Sequence, residues 1–110
     1  VLNAVNEGRL SLEDVARLCA LAPARRFGLH PRKGAIEVGA DADFTIVDMA
    51  KENEFRKEDM ATRAGHTSWE GMRTRGMPVC TIVRGSIVMQ NGEIVARPGS
   101  GRFHPGKGVR

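Results

Sequence analysis

The side chains best suited to metal or proton chemistry are His30, His66 and His104, and their spacing argues against a shared centre. They stand 36 and 38 residues apart, in turns or in the terminal segment, with no H-x-H pair. A metal centre needs several nitrogen or oxygen ligands converging on the ion and an open position for water. Asp41 and Asp43 are a second candidate, because carboxylates two apart on an extended segment point the same way and can share a metal or a proton. Their setting, G-A-D-A-D, favours a structural role in which aspartate caps backbone N–H groups of its own turn. Arg25 and Arg26 read as solvated or salt-bridged surface rather than an anion clamp. His66 lies beside Ser68, but neighbours in sequence do not make a triad and no third group accompanies them. No G-x-S-x-G, G-x-x-x-x-G-K-[ST] or G-x-G-x-x-G pattern occurs. No catalytic, cofactor-binding or metal-ligating residue is therefore assigned within these 110 residues.

The elements that surround these residues fall into two kinds. Val1 to Gly8 reads as the end of a helix, with Gly8 after its last turn. Ser11-Leu12-Glu13-Asp14 opens a second helix through a side-chain cap and acidic first turn, and Leu12, Val15, Ala16 and Cys19 recur on one face. Ala22-Pro23 is expected to end it. Pro23 then starts a short helix that buries Phe27 and stops at Gly28. His30 to Gly34 is a turn, Ile36 and Val38 form a short extended piece, and Phe44 to Val47 is a strand. The charged stretch from Met49 predicts a loop with a helical turn around Glu52 to Met60, anchored by Phe55. In the loop that follows, Trp69 reads as an apolar plug. From Val79 the pattern is a meander. Pro78 stands at its start, Arg84-Gly85 and Asn91-Gly92 are its turns, and Glu93 to Val95 is its last strand.

Composition narrows the function classes. The chain has one domain's length, and 41% hydrophobic content suffices to attempt a core. No apolar run is long enough to span a membrane. The first nine residues lack the pattern of a secretory leader and an initiating Met, so the chain is expected to begin inside a longer protein. Cys19 and Cys80, without C-x-x-C spacing, read as two buried reduced thiols, consistent with a cytoplasmic protein. The net charge of +4 comes wholly from Arg97, Arg102, Lys107 and Arg110. With a neutral body and no aromatics interleaved with basic residues, nucleic-acid binding is not expected. The tail from Arg97 reads as a flexible end, or alternatively as an arm across a subunit interface that docks Phe103.

Lys33-Gly34-x-Ile36-x-x-Gly39-Ala40-Asp41-Ala42-Asp43, followed by Phe44 to Asp48 and preceded by Ala22-Pro23-Ala24 and Phe27-Gly28-Leu29, resembles the C-terminal part of amidohydrolase-superfamily enzymes. Trp69-Glu70-Gly71-Met72, Gly76, Thr81 to Gly85 and Asn91 to Val95 are similar to the cyclic amidohydrolases in particular. That group comprises dihydroorotase, hydantoinase/dihydropyrimidinase and allantoinase, with dihydroorotase favoured. The likeness runs from about Ser11 to about Val95, departing at Ala22 where the family commonly has Asn.

The resemblance implies an α+β piece. Residues 1–30 would be the terminal helices of a (β/α)8 barrel. Residues 31–96 would be the C-terminal share of a small β-sandwich of antiparallel strands, with an inserted loop or helix at 49–76. Residues 97–110 would be the basic flexible tail. It further implies that one or two zinc ions are held by residues outside this chain. The expected partners are the rest of the parent chain and further copies of the parent. The isolated 110 residues are expected to hydrolyse neither dihydroorotate nor hydantoin and to bind no stoichiometric zinc. A free-standing interaction module, or a subunit that completes a partner's barrel, is the rival reading, and another deacetylase or deaminase of the superfamily is a third.

Overall fold

Ser11 sets the longest helical stretch of the molecule. Its Oγ accepts the Asp14 N–H at 3.1 Å while the Asp14 carboxylate accepts the Ser11 N–H at 3.2 Å, a reciprocal cap that satisfies two end donors. The computed structural model describes residues 1–106. In it, α1 (Leu2–Asn6) is followed by α2 (Leu12–Ala16), a π-helical turn (Arg17–Leu21) and α3 (Ala22–Arg26). The expected break at Ala22-Pro23 does not occur. Pro23 removes a donor and crowds the preceding turn, and the chain absorbs this by widening, so that the Ala22 N–H donates to the Arg17 carbonyl. The stretch ends at Gly28 through paired bonds, Gly28 N–H to Arg25 O at 3.2 Å and Leu29 N–H to Ala24 O at 2.8 Å. Phe27 is 68% exposed, contrary to the expectation that this helix buries it.

Four antiparallel strands follow in chain order, β1 (Phe44–Glu54), β2 (Arg73–Val83), β3 (Ser86–Gln90) and β4 (Glu93–Ile94). Both β2–β3 and β3–β4 turn through two residues of positive φ, Arg84-Gly85 and Asn91-Gly92, whose handedness matches strand twist. β1 and β2 are longer than expected. They take residues 49–54 and 73–76 out of the inserted loop, and its helical turn shrinks to Lys57–Asp59. Pro78 consequently lies inside β2, where the pairing slips from Ile46↔Cys80 to Val47↔Pro78 and leaves Val79 without a β1 partner. A bulge of this kind tolerates a residue with no N–H. Ile36 and Val38 form no strand and are 82% and 109% exposed.

A second slip separates Asp48↔Met77 from Glu52↔Arg75. The Asp48 carboxylate accepts the N–H groups of Ala50 and Lys51 there, and α1 closes the gap from outside. Asn6 Nδ2 donates to Met49 O at 3.1 Å and Arg75 O at 2.9 Å, and Asn3 Oδ1 accepts the Arg75 N–H at 3.1 Å. Two asparagines thus substitute for missing ladder bonds. The only buried apolar side chain among the described residues is Ala24. Cys19, expected inside, is exposed, and Cys80 is half-buried. The apolar face of α2 stays largely uncovered, with Leu12 48% exposed.

Candidate functional site

The two carboxylates singled out in the sequence converge on one cation. Lys33 Nζ lies 2.8 Å from Asp41 Oδ2 and also pairs closely with Asp43, while Arg32 Nε sits 3.1 Å from Asp41 Oδ2. Backbone bonds fix this geometry. The Asp41 N–H donates to Arg32 O at 2.9 Å, bringing the turn back beside the entry to β1, and the Asp43 N–H donates to Asp41 O at 2.8 Å. Across the sheet, Asp43 Oδ1 accepts the Arg84 N–H at 2.8 Å and Ala42 O accepts the Gly85 N–H at 2.9 Å, so the β2–β3 turn is held to the same node. Asp43 therefore caps a distant turn rather than its own. Asp48 is the aspartate that caps its own following residues.

The electrostatics of this node are those of an ion-pair clamp. The hydrogen bond from Lys33 holds the Asp41 carboxyl below the usual range, against an opposing desolvation and with help from Arg32. Desolvation pushes the Asp43 carboxyl up, but the bonds from Lys33 and the Arg84 N–H outweigh it and the net direction is downward. Both groups stay ionised near neutrality and neither has a proton to give. The lysine occupies the position a bound cation would take between them.

The other sequence candidates are not brought together. His66 is exposed, with Nδ1 3.0 Å from Ala64 O, and His30 is half-buried in its turn. Arg25 and Arg26 are exposed. Among the described residues no group of three or more His, Cys, Asp or Glu is arranged to hold a metal ion. No helix of the described residues is long and apolar enough to cross a membrane. Trp69 is 59% exposed and does not plug its loop. The tie falls instead to Glu70, whose carboxylate accepts the Lys57 N–H at 2.8 Å. An open groove of about 780 Å³ runs between the helices and the sheet, lined by Val15, Ala20, Leu29, Phe44 and Ile82, and also by Lys33 and Asp41.

Sequence reasoning missed the roles of Asn3, Asn6 and Lys33, and the approach of His104 to Asp41. For Lys33 a signal existed, a cation and two anions flanking one Gly-rich turn. The asparagines reach backbone groups more than forty residues away, Asn6 the carbonyls of Met49 and Arg75 and Asn3 the Arg75 N–H, which no local pattern encodes.

A family model described as "Amidohydrolase family" matches residues 5–89. A dihydroorotase from Methanothermobacter thermautotrophicus is 43% identical over 105 residues, covering 96% of this chain and 24% of the relative. An L-hydantoinase from Paenarthrobacter aurescens is 38% identical over 101 residues, covering 92% of this chain and 22% of the relative. Among solved structures, a D-hydantoinase superposes with a TM-score of 0.88 at 37% identity, covering 92% of this chain and 22% of that one. The chain spans about a quarter of the length of the curated relatives it matches.

Proposed function

Since the chain belongs to the amidohydrolase family, we propose that it is the C-terminal structural part of a metal-dependent cyclic amidohydrolase of dihydroorotase type. The carrying observation is surface. A complete domain of 12.0 kDa exposes about 6,000 Å², whereas this chain exposes 8645 Å². Its radius of gyration is 15.5 Å, against about 13 Å for a compact chain of this length. Uncovered apolar side chains, among them Leu12, Ile46, Ile87 and Ile94, are part of that surface. A surface of this kind is a face awaiting its other layer.

In this reading α1 to α3 are the last helices of a (β/α)8 barrel, and β1 to β4 are one share of a small β-sandwich. The remaining strands and the metal ligands come from the rest of the polypeptide. Zinc does not fit the residues described here. The carboxylate pair is already filled by Lys33, and the three histidines stand apart. No step of the reaction is assigned to this chain, whose contribution is scaffold. The parent hydrolyses a ring C–N bond in the cytoplasm as a homo-oligomer, without nucleic acid or membrane partners. The higher identity to a dihydroorotase than to the hydantoinases supports dihydroorotate as the ring, and the hydantoinase superposition keeps hydantoin as the second substrate to test.

The experiment is an immunoblot of the source with an antibody raised to these residues, followed by purification of the reactive polypeptide and assay on dihydroorotate and hydantoin. A band several times larger than 12.0 kDa that opens dihydroorotate is expected. A band at 12.0 kDa without a co-purifying hydrolase refutes the proposal and leaves the interaction module.

A further inference from the structure

Although expected to be flexible, the terminal segment touches the body at three points over residues 97–106. Lys107 and Arg110, also assigned to that tail, lie outside the described residues. Arg84 Nη2 donates to Ser100 O at 2.7 Å. His104 Nε2 lies 3.9 Å from Asp41 Oδ2, the two side chains being 19% and 17% exposed. Gly106 passes so close to Phe27 that a Cβ there would run into the Phe27 carbonyl oxygen. The segment is therefore laid across the clamp of the preceding section, and only a residue without a side chain fits at its far end.

His104 Nε2 is buried and has no hydrogen-bond partner among the described residues. A buried ring nitrogen with nothing to bond is uncommon, and its separation from Asp41 is beyond hydrogen-bond range. The charged groups around it come from three elements. Asp41 and Asp43 stand at the entry to β1, Arg32 and Lys33 on the turn before it, and Arg84 on the β2–β3 turn. Arg84 directs its guanidinium to Ser100, and the two carboxylates offset Arg32 and Lys33. The carboxylate within 4 Å of the orphan nitrogen is that of Asp41, at 3.9 Å.

We propose that residues 97–106 form a pH-operated strap whose latch is His104 on Asp41. Protonated, the imidazole carries an N–H and a positive charge toward Asp41 Oδ2, closes the gap as a charge-assisted bond and presses the strap against the node. Neutral, it leaves the strap held by the Arg84–Ser100 bond and the Gly106 contact. The charge on one imidazole thus sets how firmly residues 97–106 are held over the node that lines the helix–sheet groove.

The test is hydrogen exchange by mass spectrometry on the native polypeptide at about pH 5.5 and about pH 8. Rates are corrected for intrinsic exchange and referred to the β3–β4 hairpin. Protection of residues 97–106 should rise roughly three- to ten-fold at the lower pH, the range expected for a partly screened ion pair. In H104Q the rise should vanish. G106A should lose strap protection at both pH values. A wild-type profile that follows the reference hairpin, an H104Q profile that keeps the rise, or full protection in G106A would each overturn the proposal.

Discussion

Gly34 and Gly39 offer a matched pair of perturbations in one loop. Their φ angles are +96° and +94°, so an alanine at either meets the same backbone penalty. That penalty is roughly 1–2 kcal/mol for an L residue. The surroundings differ. A Cβ on Gly39 meets nothing within 4 Å, whereas on Gly34 it would stand 2.5 Å from Ala24 Cβ, 3.0 Å from Ala20 O and 3.2 Å from Leu21 Cα. Carbon atoms pack at about 3.5–4.0 Å, so the loop must retreat from the helix by about an ångström, and overpacking of this kind costs roughly 1–3 kcal/mol. G39A should therefore destabilise by about 1–2 kcal/mol and G34A by about 2–5 kcal/mol. The assay is urea unfolding of the native polypeptide carrying each substitution, read as a midpoint shift at unchanged slope. Adding A24G to G34A removes one of the clashing atoms and should recover part of the loss. Agreement of G34A and G39A to within about 0.5 kcal/mol, the usual scatter of independent sites, would refute the reasoning, because the close approach of Gly34 to α3 would then carry no weight.

Three further expectations follow from particular contacts. S11A removes the reciprocal cap with Asp14 and should cost about 1 kcal/mol, seen as a lower urea midpoint that S11T largely restores. D43N bears on acid stability. The folded-state carboxyl lies below its usual 3.8, so its contribution is present above that value and is lost as pH falls through the lower folded one. Wild-type stability should decline below about pH 4, while D43N starts lower at neutral pH and shows a flatter acid limb in a pH series of thermal melts. Replacing His30, His66 and His104 together by Gln should leave the zinc content of the purified native polypeptide unchanged by elemental analysis. Loss of a stoichiometric ion would assign one of them to the metal.

Local chemistry was legible and long-range chemistry was not. The Ser11 cap, the stop at Gly28 and both two-residue turns depend on neighbours in sequence, and each is where the residues place it. Pro23 misled because a π-helical turn can absorb a proline that an α-helix cannot. The inserted loop is shorter than its sequence suggests because charged residues in β1, such as Lys51, Glu52 and Glu54, obscure a strand whose identity comes from its pairing with β2. Phe27 and Trp69 were expected to be buried because large apolar side chains usually are. They are 68% and 59% exposed, and on the proposed reading the rest of the parent polypeptide supplies the surface that covers them. The carboxylate pair is legible as two aspartates of one turn, whereas the lysine that pairs with both comes from the preceding turn and is not.

The order of the strands in the sheet, identical to their order in the chain, bears on how the molecule assembles in time. β2, β3 and β4 are joined by two-residue turns, so their closure forfeits little chain entropy, and they form the expected nucleus. β1 joins only after the segment between Glu54 and Arg73 has looped back, a cost that grows with the logarithm of that length. The helix that reads Arg75 through Asn3 and Asn6 closes the largest loop and is expected to dock last. The C-terminal half of the sequence would then template the N-terminal half, reversing the direction in which a ribosome delivers them.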